Sequence, residues 1–479
     1  MLHVMWNSGV RGKLWRILQN MSRNLTAQIK TRYGFSRQIT RDNGGRQGSR
    51  LTGRLFSKQM DVLSEEFIEK DDLNVKINPN FSIGCVEFVD DVMSCTLGRK
   101  NQKEVLLRVD EFAKINKLEW GADKCQVMQV GRKIKPPETW DLGPKQIKNT
   151  TAYKYLGDII TNDGKYKQNI EKRFNQVQAI MRQINTTASS DVMKNIEAKV
   201  ILDLYNSCIV PSFLYNAQSW TLTKTDEVVM DKLGIQILKR LFNLPEKTPN
   251  PAIIHSFGTL YITQQIDQMK FMYLHKLLKR TDDHWTKKML IHLDENNVGW
   301  AKSIRQKLKD YNLEQDWSKI VTLSKTTWKN SVKDSVVKRN TQKLLENCTD
   351  QNKIKTKTKH IYEKIKSTTY LNEPVPEIIK STKLQAKTLI LARNGMLECG
   401  KNLKGTLPEN CQNCSVSDDE DHRMNKCPKW KDTNFLESET KIDFCNVYSS
   451  DPTILPVIIK QIQKVWELSL GKGLMKRIS

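Results

Sequence analysis

The stretch Phe81-Ser-Ile-Gly-Cys-Val-Glu-Phe-Val-Asp-Asp-Val-Met-Ser-Cys95 sets two adjacent carboxylates, Asp90 and Asp91, between two apolar runs. Ile83, Val86, Phe88 and Val89 lead in and Val92 and Met93 lead out, so the segment reads as two short buried strands meeting at a tight turn made by the aspartates. Like charges side by side at such a turn repel each other and are costly to desolvate unless a cation sits against them, and a divalent metal is the usual remedy. A solvated surface turn is the alternative. It is the better reading for Asp71-Asp72, Asp282-Asp283 and Asp418-Asp419, which lie in polar surroundings, whereas the pair at 90 and 91 is flanked by apolar residues on both sides.

At 479 residues the chain exceeds what one core supports, so several folded units are expected. Its 78 Lys and Arg against 53 Asp and Glu leave a net charge of +25, which calls for a polyanionic partner, nucleic acid or an acidic membrane surface. Membrane is the weaker choice, because no run of ~18 apolar residues exists to span a bilayer and no secretory signal opens the chain. Ten cysteines form no disulfide-like framework, and three of them cluster with a histidine near the C-terminus. This usage places the protein in a reducing interior, nuclear or cytoplasmic.

Residues 1 to 58 hold twelve Lys and Arg and one acid, Asp42, and Val10, Leu14, Ile17, Leu18 and Met21 recur at helical spacing. A basic amphipathic helix fits this segment, and so does a mitochondrial transit peptide. Gly44-Gly-Arg-Gln-Gly-Ser-Arg-Leu-Thr-Gly-Arg-Leu-Phe56 then begins as a glycine-rich turn and continues as a helix through Leu51, Leu55, Phe56, Met60 and Leu63. Glycines let a backbone approach a ligand closely, an amide such as Gln47 can probe a base or sugar, and the arginines can neutralise phosphate. A polar connector is the plainer reading of the same loop.

Together, Gly44 to Phe56 and Phe88-Val-Asp-Asp91 resemble the palm of reverse transcriptases from non-LTR retrotransposons. In that family a Gly-x-Arg-Gln-Gly element precedes an aromatic-x-Asp-Asp turn that holds the catalytic metals. The resemblance makes Gly45, Arg46, Gln47 and Gly48 template- and nucleotide-binding residues, and Asp90 and Asp91 ligands of Mg2+. Leu118-Glu-Trp-Gly-Ala-Asp-Lys-Cys-Gln-Val-Met-Gln129 is similar to the next palm element, whose lysine, Lys124 here, assists proton transfer or positions the triphosphate. Tyr153-Lys-Tyr-Leu-Gly-Asp-Ile-Ile160 looks like the hairpin that grips the primer strand, and the resemblance makes Tyr155, Leu156 and Gly157 substrate- and template-binding residues. The chain departs from the family pattern at Val89, where alanine is usual, and at Arg50 and Gly53, where the family has prolines. The third catalytic carboxylate of the family has no counterpart before Asp42, and Met1 to Trp6 are at most the stub of its strand, with His3 near the acid's place.

Candidate helices follow near 167–185, 190–208, 224–242 and 262–279, and Leu214-Tyr-Asn-Ala-Gln-Ser-Trp220 and Ile235 to Phe242 resemble the family's thumb. Lys167, Lys172, Arg173, Lys239 and Arg240 are candidate phosphate contacts, with a solvated helix face as the alternative for each. Residues 280 to 380 carry tryptophans at 285, 300, 317 and 328 and a polybasic run, Asn352 to His360, that reads as an exposed linker. Thr382 to Asn394 is one more helix, stopped at Gly395. Cys411 and Cys414, then His422 and Cys427, have a Cys-x2-Cys-x7-His-x4-Cys spacing suited to a closed, structural zinc site, with a chance cluster as the alternative. A Cys-Cys-His-Cys element followed by proline, as at Pro428, also occurs near the C-terminus of many such retrotransposon proteins.

The expectation is therefore an α+β chain. Residues 1–164 would be a partial reverse-transcriptase palm, a small antiparallel sheet with helices, and 165–280 a helical thumb. Residues 281–380 would be a basic helical or linker region, and 381–479 a C-terminal region with a zinc knuckle at 411–427. The implied activity is RNA-directed DNA polymerase, catalytically incomplete and N-terminally truncated in this chain, acting on an RNA template, RNA–DNA or DNA duplex and deoxynucleoside triphosphates. The alternative is a non-catalytic nucleic-acid-binding remnant that works through the thumb and knuckle.

Overall fold

The computed structural model describes residues 2–23, 25–41, 50–68, 72–131, 139–187, 190–349, 363, 365, 373–394, 396–397, 410–411, 414–417, 419, 422, 458–459 and 462. It divides into two compact units, Met1–Lys165 and Tyr166–Ser479.

The first unit opens with α1 (Leu2–Asn7) and α2 (Gly12–Ser22). A strand stub at residues 1 to 6 is thereby corrected: the backbone closes its hydrogen bonds locally, Val10 N donating to Met5 O and Gly9 N to Trp6 O, with the Arg11 guanidinium 3.9 Å above the Trp6 ring. An antiparallel ribbon follows, in which β1 (Leu25–Ala27) pairs with β4 (Ile39–Arg41) around the inner pair β2 (Lys30–Thr31) and β3 (Gly34–Phe35). Then come α3 (Arg50–Ile68), β5 (Val75–Asn78), β6 (Phe81–Ile83), β7 (Cys85–Phe88), β8 (Asp91–Ser94) and α4 (Gly98–Ile115). The unit ends with β9 (Gln126–Met128), β10 (Thr139–Leu142), β11 (Lys145–Thr150), β12 (Ala152–Tyr155) and β13 (Asp158–Thr161).

Amphipathic α3 and α4 supply the core of this unit. Met60 and Leu63 of α3 meet Leu73 and the α4 residues Val105 and Phe112, with Cys85 and Val92 packed against them. Leu106 of α4 joins Val127, Trp140, Leu142 and Ile147 in a second cluster over the three-stranded sheet β10-β11-β9. The class is α+β, with a different strand arrangement from the expected single antiparallel sheet. Most strands pair only with their neighbour in sequence, and β9 runs parallel to β11. Strands this short satisfy their ladders with the nearest partner.

The second unit is helical: α5 (Lys167–Thr187), α6 (Ser190–Asn195), α7 (Ala198–Leu204), α8 (Val210–Phe213), α9 (Lys224–Leu241), α10 (Asn250–Phe257), α11 (Ile262–Leu278), α12 (Trp285–Glu295), α13 (Gly299–Asp310), α14 (Trp317–Thr322), α15 (Lys325–Thr349), α16 (Pro376–Ile379) and α17 (Lys383–Arg393). The single helix expected over 190–208 is broken between Asn195 and Ala198, where Glu197 bridges to Thr382 and Ala198 N donates to Ser381 O. A π-turn at Tyr205–Ile209 joins α7 to α8 just before Pro211, whose ring nitrogen has no hydrogen to donate back along the helix. Residues 285–349, where the composition left a connector open, are helices packed on α11. Along α15 every fourth residue is buried, from Trp328 through Val332, Val336, Asn340 and Leu344 to Cys348. Trp317 and Trp328 lie in the core of this region, and the Trp300 indole donates to Gln218 O at 2.8 Å. Asn394 ends α17 as expected, while Gly395 and Asn352 to His360 lie outside the described residues.

A buried ionic cluster ties these helices together. Asp267 on α11 is 3% exposed and accepts from Lys307 Nζ and from Tyr311 OH, each at 2.9 Å, while Lys307 also reaches Glu227 Oε1 on α9 at 2.6 Å. Burial by itself lowers the Lys307 pKa, but the two carboxylates outweigh it and hold the ammonium above its ordinary range. Removing one partner of such a cluster strands the other charge, so Asp267→Ala should lower the unfolding free energy by about 3–5 kcal/mol. Urea denaturation measures it, and a loss below ~1 kcal/mol would show that the cluster is solvated rather than buried.

Candidate functional site

The Asp90-Asp91 pair sits where β7 turns into β8. The register pairs Cys85 with Ser94, Val86 with Met93, Glu87 with Val92 and Phe88 with Asp91, so the turn consists of Val89 and Asp90, and Asp91 opens the strand. This corrects the expectation that both aspartates form the turn. The reason is the register: Cys85 and Val92 lie on the face packed against α3 and α4, which leaves Phe88 and Asp91 on the opposite, exposed face. Val89 takes φ +59°, a left-handed conformation that a β-branched side chain resists at a cost of about 1–3 kcal/mol.

Among the described residues, neither Asp90 nor Asp91 makes an ion pair or a side-chain hydrogen bond, and both are exposed. Two adjacent acids with open lone pairs fit a hard divalent cation such as Mg2+. No third carboxylate, histidine or cysteine joins them in a metal-binding group among the described residues. Asp42 lies outside those residues. Glu87 faces α3, with the Ser64 hydroxyl as its partner. Burial pushes its carboxyl above the usual range, Ser64 pulls it down, and the Asp61 charge pushes it up.

Two tyrosines anchor the β12–β13 hairpin, one on the aspartate hairpin and one beside Lys124. Tyr155 OH donates to Val86 O at 3.2 Å, and its hydroxyl is pushed up first by burial and then by the Asp91 charge. Tyr153 OH donates to Lys124 O at 3.0 Å. The hairpin turn is Leu156-Gly157, with φ +46° and +91°, between the paired residues Tyr155 and Asp158. Positive φ at both central residues gives the type I′ geometry suited to a two-residue hairpin. Lys124 itself is exposed and follows a tight turn closed by Lys124 N donating to Gly121 O at 2.8 Å. Tyr153 was not singled out from sequence, although it lies two residues before Tyr155 and so on the same strand face. Gly45, Arg46, Gln47 and Gly48 lie outside the described residues, and α3 begins just beyond them at Arg50.

Cys411, Cys414 and His422 form a group that can hold a metal ion. Cys414 Sγ lies 3.5 Å from Cys411 Sγ and 3.2 Å from His422 Nε2. Their chain folds back on itself, Cys411 N donating to Val416 O and Ser415 N to Cys411 O, with Asn410 bridged to Ser417. His422 is 4% exposed, and its backbone N–H donates to Asp419 Oδ1 at 2.9 Å. Bonds of ~2.3 Å to sulfur and ~2.0 Å to nitrogen in a tetrahedron need ligands roughly 3.5–3.8 Å apart, close to what these side chains present. Cys427 lies outside the described residues.

The helical unit separates the candidate phosphate contacts. Lys239 is buried, its Nζ donating to Glu246 O and Asn250 Oδ1, each at 2.8 Å. Burial, partly offset by Glu246, brings its pKa down from 10.5 to about 8. The unfolded chain thus holds this proton more tightly, and the group's contribution to stability rises as pH climbs from about 8 towards 10.5. Arg173 is also buried, its guanidinium 4.5 Å from the Tyr215 ring. Lys167 and Arg240 stay exposed, and Lys172 is partly exposed.

Residues 9–160 match the family model described as reverse transcriptase (RNA-dependent DNA polymerase). This segment is reverse-transcriptase related. It spans the Asp90-Asp91 turn, Lys124 and the Tyr155 hairpin. No curated protein matches the chain. Among the described residues, no helix is long and apolar enough to cross a membrane.

Proposed function

We propose that the protein is a nucleic-acid-binding relative of the non-LTR retrotransposon reverse transcriptases, whose polymerase site is incomplete in residues 1–479. The observation that carries this reading is the β7–β8 hairpin, which presents Asp90 and Asp91 to solvent within the matched segment and is joined to the β12–β13 hairpin through Tyr155. In this reading residues 1–164 belong to a palm, 165–280 to a thumb over the duplex, 281–380 to a basic helical or linker region and 381–479 to the zinc-binding region.

Asp90 and Asp91 would hold Mg2+, which when bound polarises phosphoryl oxygens and lowers the pKa of the attacking hydroxyl. Tyr155 fixes the β7 strand behind the aspartates, with Leu156 and Gly157 at the tip available to the primer backbone. Lys124 would support the triphosphate, and Gln47 with Gly45, Arg46 and Gly48 would line the template side. The partners are an RNA template, RNA–DNA or DNA duplex and, for a completed site, deoxynucleoside triphosphates. Titration of a labelled RNA–DNA duplex with the full chain tests the reading. Saturable binding is expected, and none at low salt would remove it.

Cys411, Cys414, His422 and Cys427 are the proposed zinc ligands. The purified chain should carry about one zinc ion that Cys414→Ser removes, since a structural site with three thiolates and one imidazole has no water position to spare. Zinc content by elemental analysis decides it. A metal-free natural chain, or equal zinc in Cys414→Ser, would overturn the assignment.

A further inference from the structure

We propose that the ribbon of residues 25–41 is a stacking arm for single-stranded nucleic acid, with Tyr33 and Phe35 as its stacking rings. The ribbon is built to stand alone. Two-stranded hairpins without a packed face are marginal in water, yet here side chains reinforce the ladder across the strands. Gln38 Nε2 donates to Thr26 Oγ1 at 2.8 Å, Ile29 N to Ser36 Oγ at 2.9 Å, Gln28 Nε2 to Ser36 O at 3.1 Å and Thr31 Oγ1 to Gly34 O at 2.9 Å. The order so obtained serves no core. Tyr33 is 100% exposed and Phe35 69%, both at the tip.

Charge decides the partner. Residues 1 to 41 contain eight Lys and Arg and no Asp or Glu. Lys30, Arg32 and Arg37 surround the two rings, are exposed, and enter no ion pair among the described residues. Open cations interleaved with open aromatic rings suit a strand whose phosphates are neutralised while its bases stack on the rings. A duplex offers no free base faces to a narrow tip, so the arm favours unpaired strands. The inference rests on the nucleic-acid reading above and assigns the single-stranded part of the substrate to an element outside the aspartate turn.

The test uses the full chain, a labelled single-stranded RNA and a blunt RNA–DNA duplex, with binding followed by fluorescence anisotropy. The Tyr33→Ala/Phe35→Ala variant should bind the single strand at least about 20-fold more weakly, because each lost stack weakens binding by about 5- to 100-fold. Its duplex affinity should stay within about 2-fold of the natural chain, and Tyr33→Phe should keep single-strand affinity because the ring remains. Equal losses on single strand and duplex, or no loss on either, would overturn the proposal. So would a ring-dependent dimer in sedimentation, which would make the arm a contact between copies, or ring-dependent binding to phosphatidylserine vesicles in place of RNA. A natural chain that binds neither strand nor duplex removes the nucleic-acid reading itself. A natural chain that binds both, with a double variant of unchanged single-strand affinity, removes only the arm.

Discussion

Purified residues 1–479, given primed template, deoxynucleotides and Mg2+, should show no measurable primer extension, and Asp90→Ala should leave that result unchanged. Two-metal transfer requires both ions held ~3.5–4 Å apart by a complete ligand set. Asp90 and Asp91 offer two carboxylates on an exposed hairpin, and no third donor joins them among the described residues. Glu87 is the nearest acid in sequence, but its strand position turns it towards Ser64 on α3, so its carboxyl is on the wrong face to share a metal with Asp91. Positioning of the reacting groups alone is worth effective molarities of ~10⁵–10⁸ M, so a loosely held metal pair should cost many orders of magnitude in rate. Extension by the natural chain that vanishes in Asp90→Ala would overturn this expectation and turn attention to Asp42 as the missing ligand.

Binding should survive where catalysis does not, and its signature is salt. A protein neutralising ~6–10 phosphates loses about 10³- to 10⁵-fold in affinity between ~50 and ~200 mM salt, and a chain of net charge +25 should fall in this range on an RNA–DNA duplex. Adjacent residues of α9 supply an internal control. Arg240 is exposed, and Arg240→Ala should reduce the salt slope by about one unit, as expected for one phosphate contact. Lys239 has its ammonium committed to Glu246 O and Asn250 Oδ1, so Lys239→Met should leave the slope unchanged. Anisotropy titrations across salt concentrations measure both. A salt-insensitive affinity, or equal slope changes in the two variants, would remove the phosphate role from this helix.

Several features of the site were legible in the residues because local rules suffice for them. Apolar runs on either side of Asp90-Asp91 forecast a hairpin, and the resemblance carried by Tyr153 to Ile160 forecast another. The Cys-x2-Cys turn brought Cys411 and Cys414 together, and His422 joins them. What failed was finer. A valine in the left-handed region is disfavoured by its own sterics, so local reasoning placed the turn on the two aspartates. The observed pairing of Phe88 with Asp91 puts Val89 in the turn, with Cys85 and Val92 packed on α3 and α4.

The sequence by itself determined the kinds of chemistry available: an acid pair in an apolar setting, a thiol-imidazole cluster, and an excess of positive charge that calls for a polyanion. These depend on residue type and short spacing, which survive any arrangement of the elements. Only the tertiary structure decided which groups face solvent. Lys239 and Arg240 read alike as charges, yet successive helix residues point ~100° apart, and the packing of α9 buries one and exposes the other. The sequence left residues 281–380 open between helix and linker, because along α15 only one residue in four is fully buried, a stripe too narrow for composition to register until α11 is seen beside it. The Tyr155 bond that joins the β12–β13 hairpin to the aspartate strand spans 69 residues of sequence, a distance over which local periodicity carries no information.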